Sequence, residues 1–140
     1  YDLNQKISAG QAAFAVVMVD LNQLKEVNDR FGHEKGNIAL QTLCRAVCRL
    51  YKHSPVYRIG GDEFVVILEG EDYDNRDALF QKVQAFERIR DLKAAQPWTQ
   101  LAASVGMAVY DQTCDATYQA VFNRADARMY EQKQHLAPRT

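Results

Sequence analysis

The sequence predicts an α/β sandwich: a central, mainly antiparallel sheet flanked by helices, of the ferredoxin-like or polymerase-palm type. Three observations predict it. Phe14–Val19 is an unbroken apolar run, as expected of a strand buried on both faces. Val56–Ile59 and Phe64–Leu68 are apolar runs joined by Gly60-Gly61-Asp62-Glu63, which reads as a β-hairpin. The segments around them carry apolar stripes at helical spacing.

Taken in order, Tyr1–Ala9 is a short mixed piece, the end of a helix. The Phe14–Val19 strand closes on Asp20. Burial of an unpaired charge is expensive, so this carboxylate either caps the next helix or serves a site. Leu21, Leu24, Val27 and Phe31 space that helix, and Gly32 stops it. A second helix begins near Gly36-Asn37 and carries the stripe Leu40, Leu43, Cys44, Val47 and Cys48, up to Ser54-Pro55. After the hairpin, Glu69–Asn75 reads as an acidic loop. Leu79, Val83, Phe86, Ile89 and Leu92 mark a third helix, which Pro97 breaks. Leu101–Tyr110 is a strand and Asp111–Asp115 a turn. Tyr118, Val121, Ala125 and Met129 set a last helix, and His135–Thr140 is a loose tail.

The chain of 140 residues suits a single domain with a real core. A net charge of −1 gives no broad surface for nucleic acid. The longest apolar run, Ala12–Val19, is far short of the roughly 20 residues a bilayer needs, so no membrane contact is expected of this domain. The three cysteines, Cys44, Cys48 and Cys114, make no disulfide framework and fit a reducing, cytoplasmic setting. Cys44 and Cys48 read as small core residues one helical turn apart.

The hairpin tip carries the chemistry. Gly60 and Gly61 let a bulky group approach the backbone, and Asp62 and Glu63 place two carboxylates side by side. An ordinary acidic turn uses the same residue types. The alternative is a cation site. If the first strand ends beside the tip, Asp20 joins Asp62 and Glu63, and such a set binds Mg2+ that bridges phosphate oxygens. In a regular strand Asp62 and Glu63 point to opposite faces, and the double glycine is the device that would relax this.

Arg58-Ile-Gly-Gly-Asp-Glu-Phe64 resembles the signature of the GGDEF domain, the diguanylate cyclases. Asp20 to His33, with Gly36 and Leu40, resembles a second signature, and Arg124 to Lys133 the closing helix. The resemblance to these nucleotidyl cyclases covers nearly the whole chain. It implies condensation of two GTP to cyclic di-GMP and two pyrophosphates, at a site formed between two facing domains of a homodimer. It implies Mg2+ (or Mn2+) held by Asp20, Asp62 and the Leu21 carbonyl. Glu63 takes a second metal or helps deprotonate the attacking hydroxyl; the resemblance does not choose between Asp62 and Glu63 as base. It implies that Lys25 and Lys133 neutralise the triphosphate, that Asn28 bonds the guanine or its ribose edge, and that His33 lies at the site. Residues 1–140 would be one such output domain of a longer protein, cytoplasmic or on the cytoplasmic side of a membrane-bound sensor.

The departures from the family pattern are specific. Asn37 stands where an aspartate is usual, which weakens a charge-assisted pair to guanine and admits adenine. Asn22 replaces a second aspartate. The Arg-x-x-Asp product-inhibition motif falls at Tyr51 and Ser54, so that site is expected to be absent. Ala137 falls near a usual phosphate-contacting arginine, with Arg139 shifted, and the opening Leu-Thr-Gly is missing, as if the edge were trimmed. Two other readings follow: a weak or silent GTP-binding regulatory domain, and a cyclase of relaxed purine choice.

Overall fold

A computed structural model describes residues 3–22, 24–84 and 103–136. The elements run α1 (Leu3–Ser8), β1 (Ala15–Leu21), α2 (Leu24–Phe31), α3 (His33–Leu50), β2 (Val56–Arg58), β3 (Glu63–Leu68), α4 (Gly70–Asp74), α5 (Arg76–Gln84), β4 (Ala103–Val109) and α6 (Tyr118–Leu136). The sheet order is β2-β3-β1-β4, with every pairing antiparallel. The sandwich read from the sequence is the architecture observed. All seven residues of β1 are buried because it pairs on both edges and is covered on both faces.

Strand alternation divides the core. Val17, Val19 and Leu21 face one layer with Phe64, Val66 and the α3 residues Leu40, Leu43 and Val47. Val16 and Met18 face the other with Val65, Ile67 and the α6 residues Val121, Ala125 and Met129. On this second face α6 lies directly on β4: a Cβ added at Gly106 would stand 2.4 Å from the Met129 nitrogen and 2.5 Å from the Ala125 oxygen. Only glycine admits that approach.

Four local readings are corrected. Leu21 belongs to β1, not to a helix, because it pairs with Ala103 across the sheet, so Asp20 is no helix cap. α3 begins at His33, ahead of Gly36. Part of the acidic segment after β3 is helical, as α4. Cys48 is exposed, not in the core, while Cys44 is partly buried. Phe86, Ile89, Leu92, Pro97, Leu101 and the tail from 137 onward lie outside the described residues.

Candidate active site

Alternation decides which side chains meet. Along β1, Val16 and Met18 face α6, so the next even position, Asp20, faces it too. In the β1–β3 register Asp20 lies opposite Glu63, which places the two carboxylates side by side on that face. Asp62 precedes the first residue of β3, in the bend of the tip, and is thereby released from strand alternation. Its carbonyl accepts from the Leu21 amide at 2.9 Å, which fastens the tip to the end of β1. As a result one oxygen of each of Asp20, Asp62 and Glu63 lies within 4.8 Å of the others.

This cluster is short of positive charge and of donors. The Asp20 side chain is 4% exposed. Its Oδ2 accepts from Lys133 Nζ at 2.8 Å, but its Oδ1 is buried without a partner. A buried carboxylate oxygen left unpaired is costly. Burial, opposed by the Lys133 bond and reinforced by Asp62 and Glu63, pushes the Asp20 carboxyl up to about 6. Glu63 is also held above the usual carboxylate range, first by burial, then by Asp126 and Asp62. Like charges at this spacing repel unless a cation lies among them. The chemistry of the donor set therefore fits a hard divalent ion, with oxygen ligands and one buried acceptor on Asp20 left without a partner.

The hairpin has a second, inner face. Val56 and Arg58 lie opposite Val66 and Phe64, which face the α3 layer. There a pocket of about 460 Å³ is lined by Asn37, Leu40, Gln41, Cys44, Val56, Arg58 and Phe64. Arg58 also grips the tip. Its Nε donates to the Gly60 carbonyl at 3.2 Å and its Nη2 to the Gly61 carbonyl at 2.7 Å. Beside the pocket, α2 and α3 touch at Asn28 and Gly36. A Cβ on Gly36 would stand 1.7 Å from Asn28 Oδ1, so the glycine makes room for that amide.

Of the residues singled out in the sequence, Asp20, Asp62, Glu63 and Lys133 come together. Asn37 lines the pocket, and Asn28 sits against Gly36 beside it. Gly60 and Gly61 are exposed at the tip, held from below by Arg58. Lys25 and His33 are exposed on α2 and at the start of α3, outside the carboxylate cluster. Asn22 accepts from the Ser104 hydroxyl at 3.0 Å. Arg58 and Asp126 were not singled out. An arginine two residues before a double glycine was the available signal for the first. Asp126 had none, since only the fold brings α6 over β3.

Comparison with known proteins gives consistent matches. The profile of the family described as "Diguanylate cyclase, GGDEF domain" matches residues 2–138. The chain is 32% identical over 126 residues to diguanylate cyclase DgcP of Escherichia coli, covering 86% of this chain and 35% of that protein. It is 30% identical over 122 residues to the bifunctional diguanylate cyclase/cyclic di-GMP phosphodiesterase MucR of Pseudomonas aeruginosa, covering 86% of this chain and 17% of that protein. The chain thus spans a minor part of these relatives. Among solved structures, the GGDEF domain of DgcB from Caulobacter crescentus, in complex with c-di-GMP, superposes with a TM-score of 0.76 at 21% identity, over 96% of this chain and 81% of that one. Diguanylate cyclase SiaD from Pseudomonas aeruginosa, in complex with its activator SiaC, gives 0.78 at 24% identity, over 96% and 51%. At these identities the two structures establish the fold.

Proposed function

The chain belongs to the GGDEF diguanylate cyclase family, and from that premise we propose that it joins two GTP molecules into cyclic di-GMP with release of two pyrophosphates. The observation that carries this reading is the meeting of Asp20, Asp62 and Glu63, with one buried oxygen of Asp20 unpartnered. Asp20, Asp62, Glu63 and the Leu21 carbonyl would hold Mg2+ or Mn2+. Bound there, the ion would neutralise phosphate oxygens and polarise the phosphorus. Lys133 offers the triphosphate an ammonium already drawn to the cluster, and Lys25 a second from α2. The exposed Gly60-Gly61 backbone lets phosphate come close. Asn37, with Asn28 beside it and His33 at the start of α3, would receive the base. Each 3′-hydroxyl attacks the α-phosphorus of the facing GTP; the new ester bond forms as the bond to pyrophosphate breaks. The hydroxyl proton passes to a carboxylate of the cluster, Asp62 or Glu63. Two copies must face each other, so turnover depends on dimer concentration. Residues 1–140 are read as one cytoplasmic output domain. Among the described residues no helix is long and apolar enough to cross a membrane.

Incubation with Mg2+ and GTP, ATP or both, across a protein concentration series, tests this by mass spectrometry of the products. Cyclic di-GMP rising steeply with protein concentration supports it. GTP binding without product at any concentration would show a silent regulatory domain. A second reading rests on Asn37 in the pocket wall. An amide that both donates and accepts relaxes the choice of purine. Asn37→Asp should then sharpen GTP over ATP by about 1–2 kcal/mol, the worth of one charged hydrogen bond. Unchanged selectivity in that variant would remove the idea.

A further inference from the structure

The pocket wall contains a feature that the cyclase reading does not use. Cys44 and Cys48 lie one turn apart on α3, with their sulfurs 4.0 Å apart. Cys44 lines the pocket beside Asn37 and Gln41, and Cys48 opens to solvent. Side chains four apart on a helix have Cβ atoms about 5–6 Å apart. A disulfide needs about 3.5–4.5 Å, so oxidation to a bridge would require α3 to unwind. The pair is therefore held as two thiols. Two metal–thiolate bonds of about 2.3 Å, the zinc value, span about 4.6 Å when collinear, the geometry of an ion with two ligands. From the observed 4.0 Å the sulfurs need to part by only about 0.6 Å to reach it.

The geometry points to a site for a soft monovalent cation of the copper(I) class, bound by Cys44 and Cys48, whose occupation closes the neighbouring pocket. Thiolates select soft ions. A four-coordinate zinc site would need further ligands. Among the described residues, the one group of three or more His, Cys, Asp or Glu side chains able to share an ion is Asp20, Asp62 and Glu63. The thiol pair thus offers two ligands, which suits an ion content with two. Binding converts both thiols to thiolates, forms two sulfur–metal bonds and releases two protons, with no change of oxidation state. Through Cys44 the bound ion becomes part of the pocket wall. The consequence for nucleotide rests on the proposed function; the binding of the ion does not.

The test uses the whole chain under anaerobic conditions with copper(I) presented as a coloured chelator complex. Wild type and Cys114→Ser should each remove one ion per chain from the chelator, and Cys44→Ser and Cys48→Ser should leave it there. Circular dichroism of each variant reports that the fold is kept. Equal uptake by wild type and Cys48→Ser, or uptake lost in Cys114→Ser alone, would overturn the site. A fluorescent GTP analogue then reads the pocket. Copper(I) should weaken its binding about tenfold or more in wild type and leave Cys48→Ser unaffected. Ion uptake without that loss overturns the closure. If the analogue binds none of the metal-free proteins, the nucleotide reading fails while the uptake result still stands or falls by itself.

Discussion

Helix α6 supplies the cation to two buried aspartates, and the two pairs are built differently. Near its start, Arg124 grips Asp115 with Nη1 on Oδ1 at 2.6 Å and Nη2 on Oδ2 at 3.0 Å. The Asp111 amide adds a third bond at 2.9 Å. The Arg124 bond holds the Asp115 carboxyl below its usual range. Near the other end, Lys133 meets one oxygen of Asp20, the other oxygen has no partner, and the carboxyl is pushed up to about 6. Both aspartates are almost wholly buried. A planar fork satisfies a carboxylate, whereas an ammonium is a point charge that leaves room for something else. The first pair completes the fold; the second is incomplete and stands where two more carboxylates converge.

Four experiments test this contrast. Arg124→Ala should have the largest effect, because it strands a buried charge. We expect a loss of about 3 kcal/mol in urea unfolding; a loss below 1 kcal/mol would mean that Asp115 finds water instead. Asp62→Asn should lower cyclic di-GMP formation by about 100-fold or more while the urea midpoint holds. Retained turnover would detach the cluster from the chemistry. Asp20→Asn should abolish turnover yet leave stability unchanged or raised by about 1 kcal/mol or less, as happens when a site keeps an unfavourable charge. A marked loss of stability would show that the Lys133 pair is structural after all.

The smallest effect is in pH. The native Asp20 pKa lies above its unfolded value, so the folded state binds the extra proton between about pH 4 and 6. Stability contributed by this group therefore falls as pH rises through that window. Asp115 runs the other way: its contribution is present above the unfolded pKa and is lost as pH falls through the lowered native value. Melting temperatures of Asp20→Asn and wild type should thus separate above pH 6 and converge toward pH 4. Stabilisation by added Mg2+ should also fade as protons reoccupy Asp20. Parallel curves would refute the raised proton affinity.

Much of the site was legible in the sequence. A buried strand ending in an acid, and a double glycine followed by two acids, are local patterns, and antiparallel pairing brings their ends together. What was hidden depends on distance or accident. Lys133 is remote from Asp20 in sequence, and only the packing of α6 on β4 joins them. Leu21 fits the spacing of the following helix by chance; its sheet partner Ala103 decides otherwise. α4 is five residues rich in acids, which propensity alone reads as loop. Cys48 shares the apolar spacing of Cys44, yet α3 turns it past the edge of the layer it covers.

The bare contact at Gly106 has a mechanical corollary. At Gly106 the strand lies close against the helix backbone at Met129 and Ala125, beside the packed side chains of Val121, Ala125 and Met129. Lys133 lies one turn beyond Met129, about 6 Å along the rod. The seat of the helix on β4 therefore also sets where the lysine comes to rest against Asp20.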